Sequence, residues 1–313
     1  MKLKFVAILI PISIFIIIFL NIDISLFVDN LKNIDLYFFI PALLYFFIYP
    51  IIGIERWRLM INTKYDLDFK TAFRIYFIGE TLNLILPSKA GDLSKAYFVK
   101  KFKGYSASYA TSTVVFEKIL DLMAISTLFL IGFSLAKTSF DFLNIIFGFI
   151  IFITIVFLVF LYFDKIKIIK NMVYKLNKKK LINIYEDISE FLKSIREKKI
   201  LLLSIVLISL LFWGGHLFQI YMFFQSANVE IPYIQVIYYM PIAIIVSLVP
   251  ITVGGLGTRD ATLLFLLSSI YPTESIVLAG LLISLRYFIP GILGMFFIGN
   301  YKKYADELKK KND

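Results

Sequence analysis

The chain has 313 residues, 59% of them hydrophobic and only 18% charged, with a mean hydropathy of +0.83. Soluble domains are nearer half apolar and a quarter charged, so this composition excludes a soluble enzyme and indicates a chain embedded in lipid. The net charge of +11 invites a nucleic-acid reading, but in a membrane chain the placement of charge outweighs its sum, and no nucleic-acid partner is expected.

Cysteine is absent, which removes disulfides, thiolate metal sites and a thiol nucleophile. The single histidine, His216, argues against most histidine-based metal or base chemistry, and neither a metal nor a cofactor is expected. His216 follows Gly214 and Gly215 and reads as a helix-packing residue, with the glycine pair allowing close helix approach.

In chain order, apolar runs cover 5–22, 36–54, 122–136, 142–163, 200–224 and 276–298. These runs suit bilayer-spanning helices, which need roughly 18 or more apolar residues. The first resembles a signal peptide, with Lys2 and Lys4 ahead of an apolar stretch from Phe5. No small-residue cleavage site follows, so it is read as an uncleaved helix.

Asp23, Asp29 and Asp35 against Lys32 suit an external connection. Arg56, Arg58, Lys64, Lys70 and Arg74 suit an internal one. Segment 164–199 carries eleven Lys/Arg against five Asp/Glu and reads as one or two amphipathic cytoplasmic helices. The connections 225–234 and 271–275 hold Glu230 and Glu274 with no cation and read as external, while the basic tail 300–313 reads as cytoplasmic. Both termini are therefore expected inside, in a single integral membrane domain over 1–313.

The expected fold is an all-α polytopic bundle with about six full crossings. Two segments remain, 70–101 with basic flanks and 234–270 with cation-free flanks, so each is expected to enter and leave on one side. Each is broken near its middle, at Pro87-Ser88-Lys89-Ala90-Gly91-Asp92 and at Pro250-Ile251-Thr252-Val253-Gly254-Gly255-Leu256-Gly257. Proline removes a backbone donor and glycine permits reversal, so helix continuity is not expected at either place. Opposite entry sides make the pair an inverted repeat, an arrangement common in transporters. Alternatively, the breaks simply end ordinary helices, with Asp92 as an N-cap.

Irregular backbone at membrane depth requires protein or water around it, and a half-helix N-terminus offers a site to an anion. Lys89, Lys95 and Arg259 would add positive charge there. Glu117 and Asp121 share one helix face and call for a cation that Lys118 is poorly placed to give and another helix could supply. Arg286 lies near the bilayer centre, with Glu117, Asp121 and Asp260 as candidate partners, and Glu80 and Asn83 share a face of the first half-helix. Interhelical ion pairs that merely hold the bundle together are the competing reading of these charges.

Together, Glu55-Arg56-Trp57-Arg58-Leu59, Asn83 through Pro87, Gly91, Asp92 and Lys95, Glu117-Lys118-x-x-Asp121, Pro250 through Asp260, and Arg286 resemble a known family. It is the flippase-like transmembrane domain of lysylphosphatidylglycerol synthases and its stand-alone bacterial and archaeal relatives, over roughly 5–300. The resemblance implies a prokaryotic cytoplasmic-membrane protein that moves lipids or assists lipid- or glycan-modifying enzymes. Lys95 and Lys118 stand where the family usually has Arg, and Asp260 where it has Glu, which preserves charge but not geometry. The soluble aminoacyl-transferase domain is not expected, so no aminoacylating activity is.

The leading expectation is a transporter of an anionic lipid, either a phospholipid or a polyprenyl-phosphate-linked one. Its head group would contact Glu80, Asn83, Lys89, Asp92, Lys95, Glu117, Asp121, Arg259, Asp260 and Arg286. A membrane enzyme of lipid or lipid-linked glycan modification is an alternative, as is a non-catalytic partner of a separately encoded transferase.

Overall fold

The structure is a computed structural model that describes residues 2–86, 90–136, 143–249, 252 and 255–300. Pro87, Lys89, Pro250 and Gly254 lie outside the described residues, as do 137–142 and 301–313. Helices account for the fold, and no strand occurs among the described residues.

The chain opens with α1 (Lys2–Leu20) and a sharp bend of 98° into α2 (Ile24–Lys32). Asp23 makes that bend as the N-cap of α2, accepting from the Ser25 and Leu26 amides. Next come α3 (Leu36–Ile61), α4 (Phe69–Asn83), a 3-10 turn (Ala90–Leu93), α5 (Ser94–Lys103) and α6 (Ala107–Ala136). After α7 (Leu143–Leu161), the basic segment forms two amphipathic helices, α8 (Lys167–Lys175) and α9 (Lys179–Glu197). The second half is α10 (Lys199–Ser226), α11 (Tyr233–Ser247), α12 (Thr258–Leu267) and α13 (Thr273–Gly299).

Of the six expected crossings, α3, α6, α10 and α13 are apolar helices of 26 to 30 residues, long enough to span a bilayer. The other two are α1 and α7, 19 residues each.

The helix lengths repeat. α3, α4, α5 and α6 have 26, 15, 10 and 30 residues, and α10, α11, α12 and α13 have 28, 15, 10 and 27. The packing repeats as well: α3 lies on α10, α4 on α13 and α11 on α6. Each of the last two contacts is admitted by a glycine. A Cβ on Gly132 of α6 would meet Ile237 and Tyr238 of α11 at 2.9 Å, and one on Gly294 of α13 would strike the Phe77 carbonyl of α4.

Both 15+10 pairs are re-entrant hairpins, because each is tied at its open end. Lys103 Nζ at the end of α5 lies 2.9 Å from Asp68, the N-cap of α4, and Tyr105 donates to the Asp66 carbonyl at 2.7 Å. At the second hairpin, the Tyr271 hydroxyl just beyond α12 donates to Gln235 in the first turn of α11 at 2.8 Å. The hairpins enter from opposite faces. The Asp35 amide donates to the Ser226 carbonyl at 3.0 Å and the Asn228 side chain donates to the Asn33 carbonyl at 2.8 Å. The start of α3 therefore sits beside the end of α10. These helices are antiparallel, and the hairpin following each begins on the opposite side.

The tips need glycine. A Cβ on Gly91 would clash with the Leu82 and Asn83 backbone at the end of α4. Gly255 has φ +73, and a Cβ there would lie 2.5 Å from the Ser247 Cβ at the end of α11. Gly257, φ +82, then opens α12.

Candidate functional site

A polar cavity lies at mid-bundle between two apolar cores. One core is built around Phe46, Tyr49, Phe212 and Leu282, the other around Ile54, Trp57, Ile78 and Phe116. The cavity is small, with about 50 Å³ of room, enough for a few water molecules. Its walls bring together Glu80 and Asn83 from α4, Asp92 from the 3-10 turn, Lys95 from α5 and Glu117, Lys118 and Asp121 from α6. Arg56 of α3 and Arg286 of α13 complete it. Seven of the ten residues expected to bind substrate thus converge. Lys89 lies outside the described residues, and Arg259 and Asp260 form a separate cluster.

The first hairpin is fixed by alternating charges. Arg56 Nη2 donates to Glu117 Oε1 at 2.8 Å, and its Nη1 to Asp121 Oδ1 at 2.7 Å. Lys95 Nζ donates to the second oxygen of Glu117 at 2.9 Å and lies 3.9 Å from Asp92. Lys118 contacts Asp92 Oδ2 and lies 3.4 Å from Asp121 Oδ2. The remaining lone pairs are served by neutral donors, Trp213 Nε1 to Asp121 at 2.9 Å and Asn83 Nδ2 to Asp92 at 3.2 Å. Three cations face three carboxylates, which is how ionised groups persist at this depth.

Several expectations are corrected. Arg286 pairs with none of Glu117, Asp121 or Asp260: Arg56 takes the first two and Arg259 the third. Arg56 reads in sequence as part of a basic flank after an apolar run ending at 54. The helix continues to Ile61, however, and leaves Arg56 inside the bundle at 1% exposure.

Lys118 is not poorly placed, because it reaches Asp121 three residues along its own helix and Asp92 across the gap to the hairpin. Asp92 does not cap α5, whose N-cap position is Leu93 without a side-chain bond. Lys95 and Arg259 are committed to carboxylates within the chain rather than open to an anion.

At the second hairpin, Arg259 donates to Asp260 at 2.5 Å, to the Gly280 carbonyl at 2.7 Å and to Ser284 at 2.8 Å. Asp260 in turn accepts from the Gly257 amide at 3.1 Å, which fixes the start of α12. One guanidinium nitrogen of Arg259, Nη1, is buried without a partner. Tyr287 links this cluster to the cavity, its ring 5.8 Å from the Arg259 guanidinium and 5.7 Å from that of Arg286.

Arg286 is the exception to the pairing. It is 5% exposed and lines the cavity. It makes no ion pair among the described residues, and its Nε has no hydrogen-bond partner. The side-chain oxygen of Asn83 is likewise buried without a donor among the described residues. His216 packs between the rings of Tyr49 and Phe212, with centroids 4.8 and 4.5 Å away.

The model of the lysylphosphatidylglycerol synthase TM region matches residues 4–294. A UPF0104 membrane protein of Methanocaldococcus jannaschii is 25% identical over 282 residues, 83% of this chain and 84% of its own length. A UPF0104 membrane protein of Archaeoglobus fulgidus is 28% identical over 303 residues, covering 88% of this chain and 90% of that one. One from Pyrococcus horikoshii is 24% identical over 289 residues, with 84% and 86% covered. No solved structure matches. With nearly its whole length matched, the chain belongs to the membrane-protein family defined by the lysylphosphatidylglycerol synthase TM region.

Proposed function

We propose that this protein translocates an anionic lipid, a phospholipid or a polyprenyl-phosphate-linked lipid, across the prokaryotic cytoplasmic membrane. The observation that carries the reading is Arg286: a buried guanidinium without an ion pair among the described residues, facing a polar cavity walled by the first hairpin, α3, α6, α10 and α13. A cation with no close ion pair at this depth is costly. A phosphate from the ligand would give Arg286 the charge-assisted hydrogen bonds that Glu80, in the same cavity wall, does not supply within ion-pair distance. The orphan Asn83 oxygen suits a head-group hydroxyl, while the chains stay in lipid. The face bearing Lys64, Lys100, Lys101, Lys103 and α8–α9 is the cytoplasmic one in this reading, which puts both termini inside.

The cavity holds too little room for a head group, so transport requires the first hairpin to part from α3 and α6. That motion exchanges carboxylate partners for phosphate at Lys95 and Lys118. No bond-breaking step is assigned to any residue.

The test is reconstitution into phosphatidylcholine liposomes carrying head-group-labelled phosphatidylglycerol, phosphatidylcholine or a polyprenyl phosphate, with leaflet exchange followed by external quenching. Exchange of an anionic probe is expected, slowed about tenfold by Arg286→Ala and partly restored by Arg286→Lys. Rates equal to protein-free liposomes for every probe would sink the proposal.

A further inference from the structure

Hydroxyls along α6 are mostly satisfied by the helix's own backbone. Thr111, Ser112, Thr113, Thr127 and Ser134 each donate back to a carbonyl three or four residues earlier, at 2.7 to 2.9 Å. Ser126 of the same helix does not. It is 4% exposed, and its hydroxyl has no hydrogen-bond partner. A hydroxyl that leaves an available backbone acceptor and stays buried calls for an external one.

The space beside Ser126 indicates what that acceptor belongs to. Ser126 and Phe129 of α6, Ile146, Phe149 and Ile150 of α7, and Ile242, Ile245 and Val246 of α11 surround a slot of about 220 Å³. α6 packs against both α7 and α11, while no comparable packing joins α7 to α11. The slot therefore lies on the lipid-facing side of α6, where Val246 is 39% exposed. It is larger than an engineered cavity of about 150 Å³ lined by Leu, Ile and Phe, which stays dry and takes up apolar ligands. Among the described residues Ser126 is its single polar lining residue, and none of them carries a charge. An ionised head group has no counterion there, in contrast to the central cavity.

Depth narrows the ligand further. Ser126 lies 19 residues beyond Ala107, or about 28 Å along a helix about 45 Å long. A hydrocarbon core about 30 Å thick, centred on that helix, puts the hydroxyl well inside it. The esters of resting phospholipids lie at the interface and do not reach this level.

We propose that the slot between α6, α7 and α11 binds an uncharged lipid that carries an acceptor oxygen deep in the membrane, with Ser126 donating to that oxygen and the chain lying against Phe149, Ile150 and Ile245. A carbonyl lipid of the quinone type and a long-chain alcohol share this chemistry. The site is separate from the cavity at Arg286, so it stands or falls independently of lipid translocation.

The test uses the whole protein in phosphatidylcholine nanodiscs and two photoreactive probes of equal length, a long-chain methyl ketone and the matching alkane, each with a mid-chain diazirine. Peptides from α6, α7 and α11 are then quantified by mass spectrometry. The ketone is expected to label the slot about fivefold more than the alkane, the factor one net hydrogen bond supplies. Ser126→Ala, small and helix-favouring, should abolish that preference, and Ile245→Trp should remove labelling by both probes. Competition by unlabelled menaquinone and by a polyprenol in separate arms identifies the source of the oxygen. Equal labelling by ketone and alkane in the wild type, or a ketone preference that survives Ser126→Ala, overturns the proposal.

Discussion

The two re-entrant hairpins use one backbone design and two chemical locks. Each has a 15-residue arm, a glycine tip turned back on the end of that arm and a 10-residue arm. The first is bound to α3 and α6 through Arg56, Asp92, Lys95, Glu117, Lys118 and Asp121. The second has the Arg259–Asp260 pair, closed by hydrogen bonds to α13. Even the open ends differ, ionic at Lys103–Asp68 and neutral at Tyr271–Gln235. Repeated geometry thus does not imply equal strength, and a buried network that spans several helices makes the first hairpin the more firmly held in this conformation.

The largest expected effect breaks that lock. Arg56→Ala leaves Glu117 and Asp121 short of a cation and should cost about 3–5 kcal/mol, read as loss of thermal stability in detergent. Arg56→Lys keeps the charge without the two-pronged geometry and should fall between the two. A wild-type-like unfolding temperature for Arg56→Ala would mean that the network is dispensable.

Arg259→Ala should cost less, about 3 kcal/mol, because Asp260 keeps its bond from the Gly257 amide. If it proves the more damaging of the two, the comparison is reversed.

The tips come next. Gly91→Ala and Gly255→Ala should each cost about 1–3 kcal/mol, Gly255 more because strain at positive φ adds to the clash. Differential scanning fluorimetry orders the pair.

The smallest effect is at the open ends. Burial works to raise the Asp68 carboxyl pKa, but the hydrogen bonds from Lys103 and Thr71 overcome it and bring it down to about 2. A depressed carboxyl stabilises the fold above its unfolded value of 3.8 and loses that contribution as pH falls toward 2. Asp68 is half exposed, so the contribution is below about 1 kcal/mol. The protection of amides at the base of the first hairpin, taken relative to the intrinsic exchange rate at each pH, should therefore fall between pH 5 and pH 2 (roughly the span of that loss). The neutral base of the second hairpin should not respond over the same range.

The hairpins were legible because their signals are local. Positive-inside bookkeeping gave segments 70–101 and 234–270 the same entry and exit side, and glycine marked each reversal. The ion network was only half legible. Asp92, Lys95, Glu117 and Asp121 stood out as charges inside apolar segments, but Arg56 was hidden by its neighbours Glu55 and Arg58, which do face outward at the helix end. Ser126 gave no signal at all, since a serine in an apolar helix ordinarily bonds to its own backbone.

Composition and charge order by themselves determined that this chain is a polytopic helical membrane protein with two broken segments, because the cost of exposing polar backbone or charge to lipid applies residue by residue. Only the tertiary structure decided which cation meets which carboxylate, that Arg286 forms an ion pair with none among the described residues, and that an apolar slot opens beside Ser126. Those outcomes depend on which helix faces come within a few ångströms of one another, and spacing along one helix does not specify its neighbours.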